Sequence, residues 1–293
     1  MAKFVLSAFA DEAGAPLSEQ IAALKENGID FIEPRNIAGR GILAHSEEEL
    51  KEIKKILDEN GIRVGSLGSP IGKYPIEEPF DKHLVDFEKA LRACEILGTK
   101  NMRIFSFFVP EDKYTEYRDE VITRLKKMIE LANVRGIRLC HENEAKIYGE
   151  YADYVKDLLD EIPDLYAIFD PANYRMSGEC VMNGIGATLK NLAYLHIKDA
   201  VHDAKVIVPA GEGEGRIPDI LNIVNGHTNE RVYLTLEPHL RIFDAYKQID
   251  THELKGKYTF NTSREAFDFA VNALKKVLIE NGYERNGNNE WTR

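Results

Sequence analysis

The chain has 293 residues, 44% of them hydrophobic, with a formal net charge of −11 at pH 7 and a pI near 5.3. This composition supports a sizeable core, and the length slightly exceeds the about 250 residues typical of a (β/α)8 barrel. The acidic balance argues against nucleic-acid or anionic-membrane binding, since both require clustered positive charge. We therefore expect a small-molecule partner, no nucleic acid and no membrane.

The sequence also bears on cellular location. Met1–Phe4 leads directly into a strand-like segment with no signal-peptide pattern, and no apolar stretch approaches the roughly 20 residues that span a bilayer. Cys94, Cys140 and Cys180 are too few and too scattered for a disulfide framework or a cysteine zinc site. These features predict a cytoplasmic protein with reduced thiols.

Short apolar strands alternate with helical patterns along the chain. The predicted strands are Phe4–Phe9, Phe31–Arg35, Arg63–Ser69, Asn101–Phe107, Gly136–Asn143, Tyr166–Asn173, Leu192–Ala200 and Val232–His239. The predicted helices are Leu17–Asn27, Glu47–Asn60, Lys82–Leu97, Tyr114–Arg135, Ala152–Glu161, Ile217–Asn225 and Ser263–Asn281. Several helical patterns end in glycine, the usual left-handed C-cap. These glycines are Gly28, Gly61, Gly98, Gly136 and Gly282.

Eight alternating units without a break in composition predict one α/β domain. Near-continuous apolar strands indicate a parallel sheet covered on both faces, and eight units favour a closed (β/α)8 TIM barrel over residues 1–283. The roughly 24-residue stretch Leu240–Ser263, after strand eight, is long for such a loop and is predicted to be a lid or a subunit contact. Residues 284–293 form a polar tail whose composition predicts disorder.

Four of the later predicted strands end in residue types that bind metals or transfer protons. They lie in Leu139–Glu144, Ile168–Pro171, Leu195–Asp199 and Leu234–His239, which supply Glu, Asp, His and Glu. In a (β/α)8 barrel the C-terminal ends of the strands converge on one mouth, where such enzymes place their chemistry. Side chains from these four strands can therefore surround one ion.

The ordered set of motifs resembles the xylose-isomerase-like barrels, in particular the sugar phosphate isomerase/epimerase branch. The motifs are Gly28–Glu33, His141–Glu144, Asp170–Asn173, His196–Asp199, Gly211–Gly215 and Leu236–His239. That branch includes ketose 3-epimerases, inosose dehydratase and hydroxypyruvate isomerase, and homo-oligomers are common in it. Matched motif by motif, the resemblance implies one divalent metal held by Glu142, Asp170, His196 and Glu237.

Each implied ligand has a structural alternative. Asp170 could cap the following helix, because a short acceptor satisfies free N–H groups there. His196 could be a core histidine, although a polar Lys-Asp pair ends its strand. Glu142 and Glu237 lie in apolar strands and could form an ion-pair network, since buried charges are paired or bind metal. Three carboxylates and one imidazole suit Mn²⁺, Mg²⁺ or Co²⁺, with Zn²⁺ as a further alternative, and ligand hardness does not choose among them. We expect Mn²⁺.

The chemistry follows from a metal that coordinates the carbonyl and adjacent hydroxyl oxygens of a sugar. Such a Lewis acid eases removal of the neighbouring carbon-bound proton and stabilises the enediolate. The resemblance implies Glu142 and Glu237 as the acid/base pair of an isomerase or epimerase. A lyase or dehydratase would begin in the same way but needs an additional acid, for which His141, Lys198 and His239 are candidates.

Departures from the epimerase pattern keep the lyase open. Asn173 stands where those enzymes often carry a substrate-binding histidine, and Val201–Lys205 replaces their arginine-bearing loop. His141 has no role in the epimerase scheme and would be the base of a lyase acting on a keto-sugar or its glycoside. Strand alternation favours the alternative, in which His141 points outward under the helices.

Three cationic residues are further candidates for the mouth of the barrel. Arg103 lies within an apolar strand and Arg35 ends one, so each is expected to meet a carboxylate, Glu33 and Asp11 among them, or a substrate oxygen. Lys73 follows strand three and is a candidate substrate contact, with simple solvation as the alternative.

One loop and two rival functions complete the analysis. Gly211–Gly215 lacks the βαβ context of a dinucleotide motif and is predicted to be the loop before the seventh helix, with a phosphate pocket as the alternative. A DNA endonuclease with three zinc ions is disfavoured, because strands two to four lack the required histidines and the chain is acidic. A metal-free binding barrel is the second rival, which metal analysis would separate.

Overall fold

A computed structural model describes residues 1–241 and 258–293. Its strands are β1 Lys3–Ala8, β2 Phe31–Ile32, β3 Asn36–Ile37, β4 Arg40–Gly41, β5 Arg63–Val64, β6 Asn101–Ile104, β7 Arg138–Glu142, β8 Tyr166–Phe169, β9 Leu192–Ile197, β10 Asp199–Val201, β11 Val206–Val208, β12 Arg231–Leu236, β13 Glu284–Arg285 and β14 Glu290–Thr292. Its α-helices are α1 Leu17–Glu26, α2 Glu47–Glu59, α3 Phe80–Leu97, α4 Tyr114–Asn133, α5 Ala152–Glu161, α6 Pro171–Met176, α7 Val181–Thr188, α8 Ile217–His227 and α9 Ser263–Glu280.

Eight parallel strands surround the barrel axis in chain order. Parallel pairing runs from β6 through β7, β8, β9 and β12 to β1, and β2 pairs with β5. Two backbone contacts join these groups: Glu33 N donates to Ala8 O over 3.0 Å, and Leu67 N donates to Asn101 O over 2.9 Å. The predicted (β/α)8 barrel is therefore confirmed.

The predicted helices are found within two residues at either end, and all five predicted C-cap glycines have positive φ. The strands are mostly shorter than predicted, because the chain leaves the sheet soon after each strand reaches the mouth. Asn173 lies in α6 rather than in a strand, since Asp170 caps a helix that begins at Pro171. The helix α7 was not predicted.

The C-terminal residues differ from the predicted disorder. The strand β14 pairs antiparallel with β1, with Trp291 opposite Phe4, and β13 pairs with β14 as a hairpin. The Trp291 side chain is buried, so a large apolar group offsets the cost of ordering a polar segment. Most of the long segment predicted after strand eight, residues 242–257, lies outside the described residues.

Alternation along the strands decides which side chains face the barrel axis. Cys140, Ile168 and Tyr194 form a small buried cluster separate from the main core, which lies between the sheet and the helices. Because strand side chains alternate, Glu142 and His196 share the interior face with Cys140 and Tyr194. In the parts of the chain that the structure describes, no helix combines the length and the apolar character required to cross a bilayer.

Candidate metal centre

Four side chains meet at the C-terminal mouth of the barrel. Glu142 ends β7, Asp170 follows β8, His196 lies in β9, and Glu237 follows β12. Each offers one ligand atom, and these atoms all lie within 4.8 Å of one another. All four residues are buried. The set implied by the family resemblance is thus one spatial cluster, formed by residues far apart in the chain.

The imidazole of His196 lies between the two glutamates. Its Nδ1 is 2.8 Å from Glu142 Oε1 and 3.3 Å from Glu237 Oε2. One side of the ring therefore faces the centre of the cluster, where a cation would lie.

Asp170 has two functions that the sequence presented as alternatives. Its Oδ1 accepts a hydrogen bond from Asn173 N over 2.9 Å and caps α6. Its buried Oδ2 accepts no hydrogen bond from the described residues, although Lys198 Nζ lies 3.0 Å away. The cap uses one oxygen and leaves the other available to the cluster.

Each carboxylate of the cluster is also next to a cation of the protein. Arg103 Nη1 lies 3.1 Å from Glu142 Oε2, and Arg35 Nη1 lies 2.9 Å from Glu237 Oε1. Lys198 Nζ is 3.5 Å from Glu237 Oε2 in addition to its contact with Asp170. The ion-pair network considered as an alternative is therefore present around the four residues, and it coexists with a ligand arrangement.

The charge balance leaves one carboxylate incompletely compensated. Burial raises the pKa of Glu142, but His196 and Arg103 outweigh that effect and lower this pKa to about 2. Burial raises the pKa of Asp170 to about 7. Lys198 lowers this pKa, but repulsion from Glu142 and Glu237 opposes that effect, so the pKa stays raised. A divalent ion would supply the missing positive charge.

The donor set fits a divalent cation. Three carboxylates and one imidazole suit Mn²⁺, Mg²⁺, Co²⁺ and Zn²⁺, and the available oxygen of Asp170 faces the cluster. Among the described residues this is the group found with metal-ligand geometry, and it holds one histidine. That composition does not support the three-zinc endonuclease.

Most of the residues predicted to contact the substrate or to supply a proton lie beside the cluster. Lys198 and Arg103 contact it as described above, and Asn173 Nδ2 is 3.5 Å from Glu142 Oε1. His239 Nε2 is 3.4 Å from Glu237 Oε1. The contacts of Lys73 are instead with Glu144, at 3.0 Å, and with the ring of Phe105.

His141 lies on the other face of β7 from Glu142, as strand alternation indicated. Its Nε2 is 2.9 Å from Ser106 Oγ, and that hydroxyl also accepts a hydrogen bond from Gly149 N. A Cβ at Gly149 would lie 2.3 Å from the His141 ring, so the imidazole is packed closely under this turn. Burial lowers the pKa of His141 to about 4, which keeps it neutral. The structure therefore does not bring His141 to the four clustered residues.

A buried acidic pair after β1 completes the site and was largely missed from the sequence. Arg35 Nε lies 3.1 Å from Asp11 Oδ2, and Arg35 Nη2 lies 3.5 Å from Glu12 Oε1. Glu12 Oε2 also accepts a hydrogen bond from His239 N over 2.8 Å. Burial raises the pKa of Glu12 to about 8 despite Arg35. The available signal was the position of Asp11 and Glu12 just after a strand, at the same mouth.

The glycine-rich segment Gly211–Gly215 forms the loop before α8, as predicted. Its backbone N–H groups at Gly211, Gly213 and Gly215 donate to the Asp199 carboxylate over 3.0, 3.1 and 2.8 Å. These donors would be needed to hold a phosphate. Because Asp199 occupies them, the structure does not support a phosphate pocket formed by this loop.

Comparison with protein families agrees with the fold. The model of the family described as "Xylose isomerase-like TIM barrel" matches residues 21–252, well over half of the chain. The chain belongs to this family. A search of curated proteins finds no match.

Several solved structures share the fold at low sequence identity. The probable 3-DHS dehydratase AsbF from Bacillus anthracis matches with a TM-score of 0.71 and 13% identity, over 94% of this chain and 99% of that one. A D-psicose 3-epimerase from Clostridium cellulolyticum H10, in complex with D-tagatose, matches with a TM-score of 0.69 and 16% identity, over 94% and 98%. A xylose isomerase-like TIM barrel protein from Mycobacterium smegmatis, in complex with magnesium, matches with a TM-score of 0.67 and 14% identity, over 96% and 98%.

Proposed function

We propose that this member of the xylose isomerase-like family is a divalent-metal-dependent isomerase or epimerase of a sugar or sugar-derived ketone. The observation that carries the proposal is the buried cluster of Glu142, Asp170, His196 and Glu237, with ligand atoms within 4.8 Å of one another. A solved D-psicose 3-epimerase that shares this fold supports the substrate class.

The ion would be held by these four residues and, when bound, would act as a Lewis acid towards oxygens of the substrate. Glu142 and Glu237 are the proposed acid/base pair. In Glu237, burial raises the pKa, but Lys198 and hydrogen bonds from His196 and His239 lower it well below its usual range. Glu142 is ionised for the same kind of reason, so either carboxylate can accept a proton from the carbon next to a carbonyl.

Return of the proton requires that one of the two glutamates becomes protonated. Abstraction itself protonates the glutamate that accepts the proton, and that glutamate can return it to the substrate. Lys198 Nζ, 3.5 Å from Glu237 Oε2, and His239 Nε2, 3.4 Å from Glu237 Oε1, stabilise the ionised form of Glu237. Arg103 and Arg35 hold the two carboxylates in place through the ion pairs described above. Asn173 and Lys198 are the proposed substrate contacts next to the cluster.

A lyase or dehydratase is the second candidate, and the position of Lys198 favours it. This ammonium group is buried, with 5% of the side chain exposed, and contacts both Asp170 and Glu237. It is therefore placed to protonate a hydroxyl or alkoxy leaving group after the same proton abstraction. The contacts of His141 with Ser106 and Gly149 make Lys198 and His239 better acid candidates than His141.

A solvent-deuterium exchange experiment tests the function. The Mn²⁺-loaded protein is incubated in D₂O with ketoses, inososes and 3-keto-glycosides, and NMR identifies the carbon that exchanges and the products. We expect exchange in the wild type and its loss in Glu142→Gln and Glu237→Gln. Glu290→Gln is the matched control, because Glu290 is a buried carboxylate paired with Arg231 on the C-terminal hairpin.

The products distinguish the two candidates. Deuterium in an isomer or epimer supports the first candidate, whereas an unsaturated product with loss of a hydroxyl or alkoxy group supports the second. Absence of exchange with every substrate, together with absence of bound metal, would contradict both. Mn²⁺ as the ion, the cytoplasm as the location and a homo-oligomeric assembly stay predictions, and metal analysis of the purified protein addresses the first.

A further inference from the structure

The second nitrogen of His196 faces a carboxylate that is not part of the cluster. While Nδ1 faces Glu142 and Glu237, Nε2 lies 3.5 Å from Glu33 Oε2. The rings of Phe9 and Tyr194 pack against the imidazole, with centroids 5.1 and 5.6 Å from its own. The ring is therefore held in one orientation, and Nδ1 is the nitrogen presented to the centre of the cluster.

Glu33 is itself held from the side away from His196. It follows β2 and is fully buried. The Tyr194 hydroxyl donates to Glu33 Oε1 over 2.9 Å, and Ser66 Oγ lies 2.8 Å from the same hydroxyl. Because the single hydroxyl hydrogen of Tyr194 is used towards Glu33, Ser66 is the donor to Tyr194. Oε2 of Glu33 accepts no hydrogen bond from the described residues and faces His196 Nε2.

We propose that Glu33, held by Tyr194 and Ser66, is a positioning residue that keeps the proton of His196 on Nε2. A neutral imidazole carries one N–H and one lone pair. When an ion takes the Nδ1 lone pair, the one N–H of the neutral ring is on Nε2, and Glu33, which only accepts, stabilises that tautomer. This inference rests on the metal site of the proposed function.

The arrangement has a general physical basis. A histidine that binds a metal commonly donates its other N–H to a carboxylate, which selects the tautomer and strengthens the ligand. Here the carboxylate comes from the second barrel strand and the imidazole from the seventh, so the two are joined across the barrel interior. The link from Ser66 through Tyr194 to Glu33 consists of buried polar groups, each of which needs a partner.

Glu33→Gln is the decisive substitution. The side chain keeps its length, and its Oε1 can still accept from Tyr194, so its NH₂ group is directed towards His196 Nε2. That donor requires a lone pair on Nε2 and moves the imidazole hydrogen to Nδ1, where a metal would have to displace it. We expect the affinity for a divalent ion to fall by about 10- to 100-fold.

Two readouts that do not depend on activity are measured on the full chain. Calorimetry with Mn²⁺ or Zn²⁺ gives the affinity. Long-range ¹H–¹⁵N NMR of ¹⁵N-histidine-labelled protein loaded with Zn²⁺ gives the tautomer, with His196 assigned from the signals missing in His196→Asn. We expect hydrogen on Nε2 of His196 in the wild type. In Tyr194→Phe, which keeps the charge of Glu33 but removes its hydrogen bond, we expect the affinity for the metal ion to fall by a few-fold. The control is Glu290→Gln, expected to be unchanged in both readouts.

The outcomes separate this inference from the proposed function. A wild type that binds the metal, with Glu33→Gln binding equally well through the same tautomer, overturns the inference and leaves the proposed site intact. A wild type that binds no divalent ion overturns both. If Glu33→Gln does not fold, Tyr194→Phe and Ser66→Ala test the inference instead. Wild-type metal affinity together with wild-type histidine signals in both of these variants would overturn it.

Discussion

Acid should destabilise this protein through a buried histidine on the outside of the barrel. His83 in α3 is 3% exposed and packs against the rings of Tyr74, Phe80 and Phe107. Its Nε2 accepts a hydrogen bond from Gly72 N over 2.9 Å, which requires a lone pair on that nitrogen. Protonation of His83 would remove the acceptor and place a charge in an apolar environment.

The magnitude follows from the shift in pKa. Burial lowers the pKa of His83 from 6.5 to about 4. The unfolded chain therefore takes up a proton at higher pH than the folded chain, so the stabilisation is complete above pH 6.5 and is lost as the pH falls towards 4. At about 1.4 kcal/mol per pKa unit, the loss is on the order of 3 kcal/mol over this window.

Urea unfolding at several pH values measures this effect. The carboxylates of the protein titrate in the same window, so we compare the free energy of unfolding of the wild type with that of His83→Gln at each pH. The amide oxygen of the glutamine can still accept a hydrogen bond from Gly72 N. We expect the free energy of unfolding to fall more steeply with acid in the wild type, by about 1.4 kcal/mol per pH unit at most. Parallel curves for the two proteins between pH 6.5 and 4 would refute the reasoning.

Two further predictions concern an ion pair of the metal centre and the C-terminal hairpin. Arg103→Met removes the cation next to Glu142, so the pKa of Glu142 should rise. The acid limb of the rate-against-pH profile should then move to higher pH. The free energy of unfolding should fall by about 3–5 kcal/mol, because the carboxylate is left buried without this partner. An unchanged acid limb would count against Glu142 as the base. Trp291→Ala should cost about 3–5 kcal/mol in urea unfolding because the indole is buried against β1. No loss of stability would show that the hairpin does not contribute to the fold.

Much of this protein could be predicted from local patterns. Alternating strand and helix signals with glycine C-caps indicated eight units, because these depend on residues near one another in the chain. Barrel geometry then required the ends of the strands to meet at one mouth. The clustering of Glu142, Asp170, His196 and Glu237 could be anticipated for that reason.

Contacts across the barrel could not be derived from the same patterns. Arg35 and Glu237 are 202 positions apart, and Tyr194 and Glu33 are 161 apart. No local pattern specifies such pairs, because each depends on the pairing and tilt of strands that are distant in sequence. Glu12 was missed for this reason, although its neighbour Asp11 had been considered as a partner for a cation.

Burial also separated residues that the sequence placed together. His141 and Glu142 are adjacent, yet strand alternation directs one towards Ser106 and the other into the metal centre. The C-terminal tail is polar in composition, but its pairing with β1 and the burial of Trp291 place it in the sheet. Residue type and spacing along the chain indicated the barrel and the residues that meet at its mouth. The partners of each charge depended on long-range packing, because the free energy of a buried charge is set by its neighbours in space.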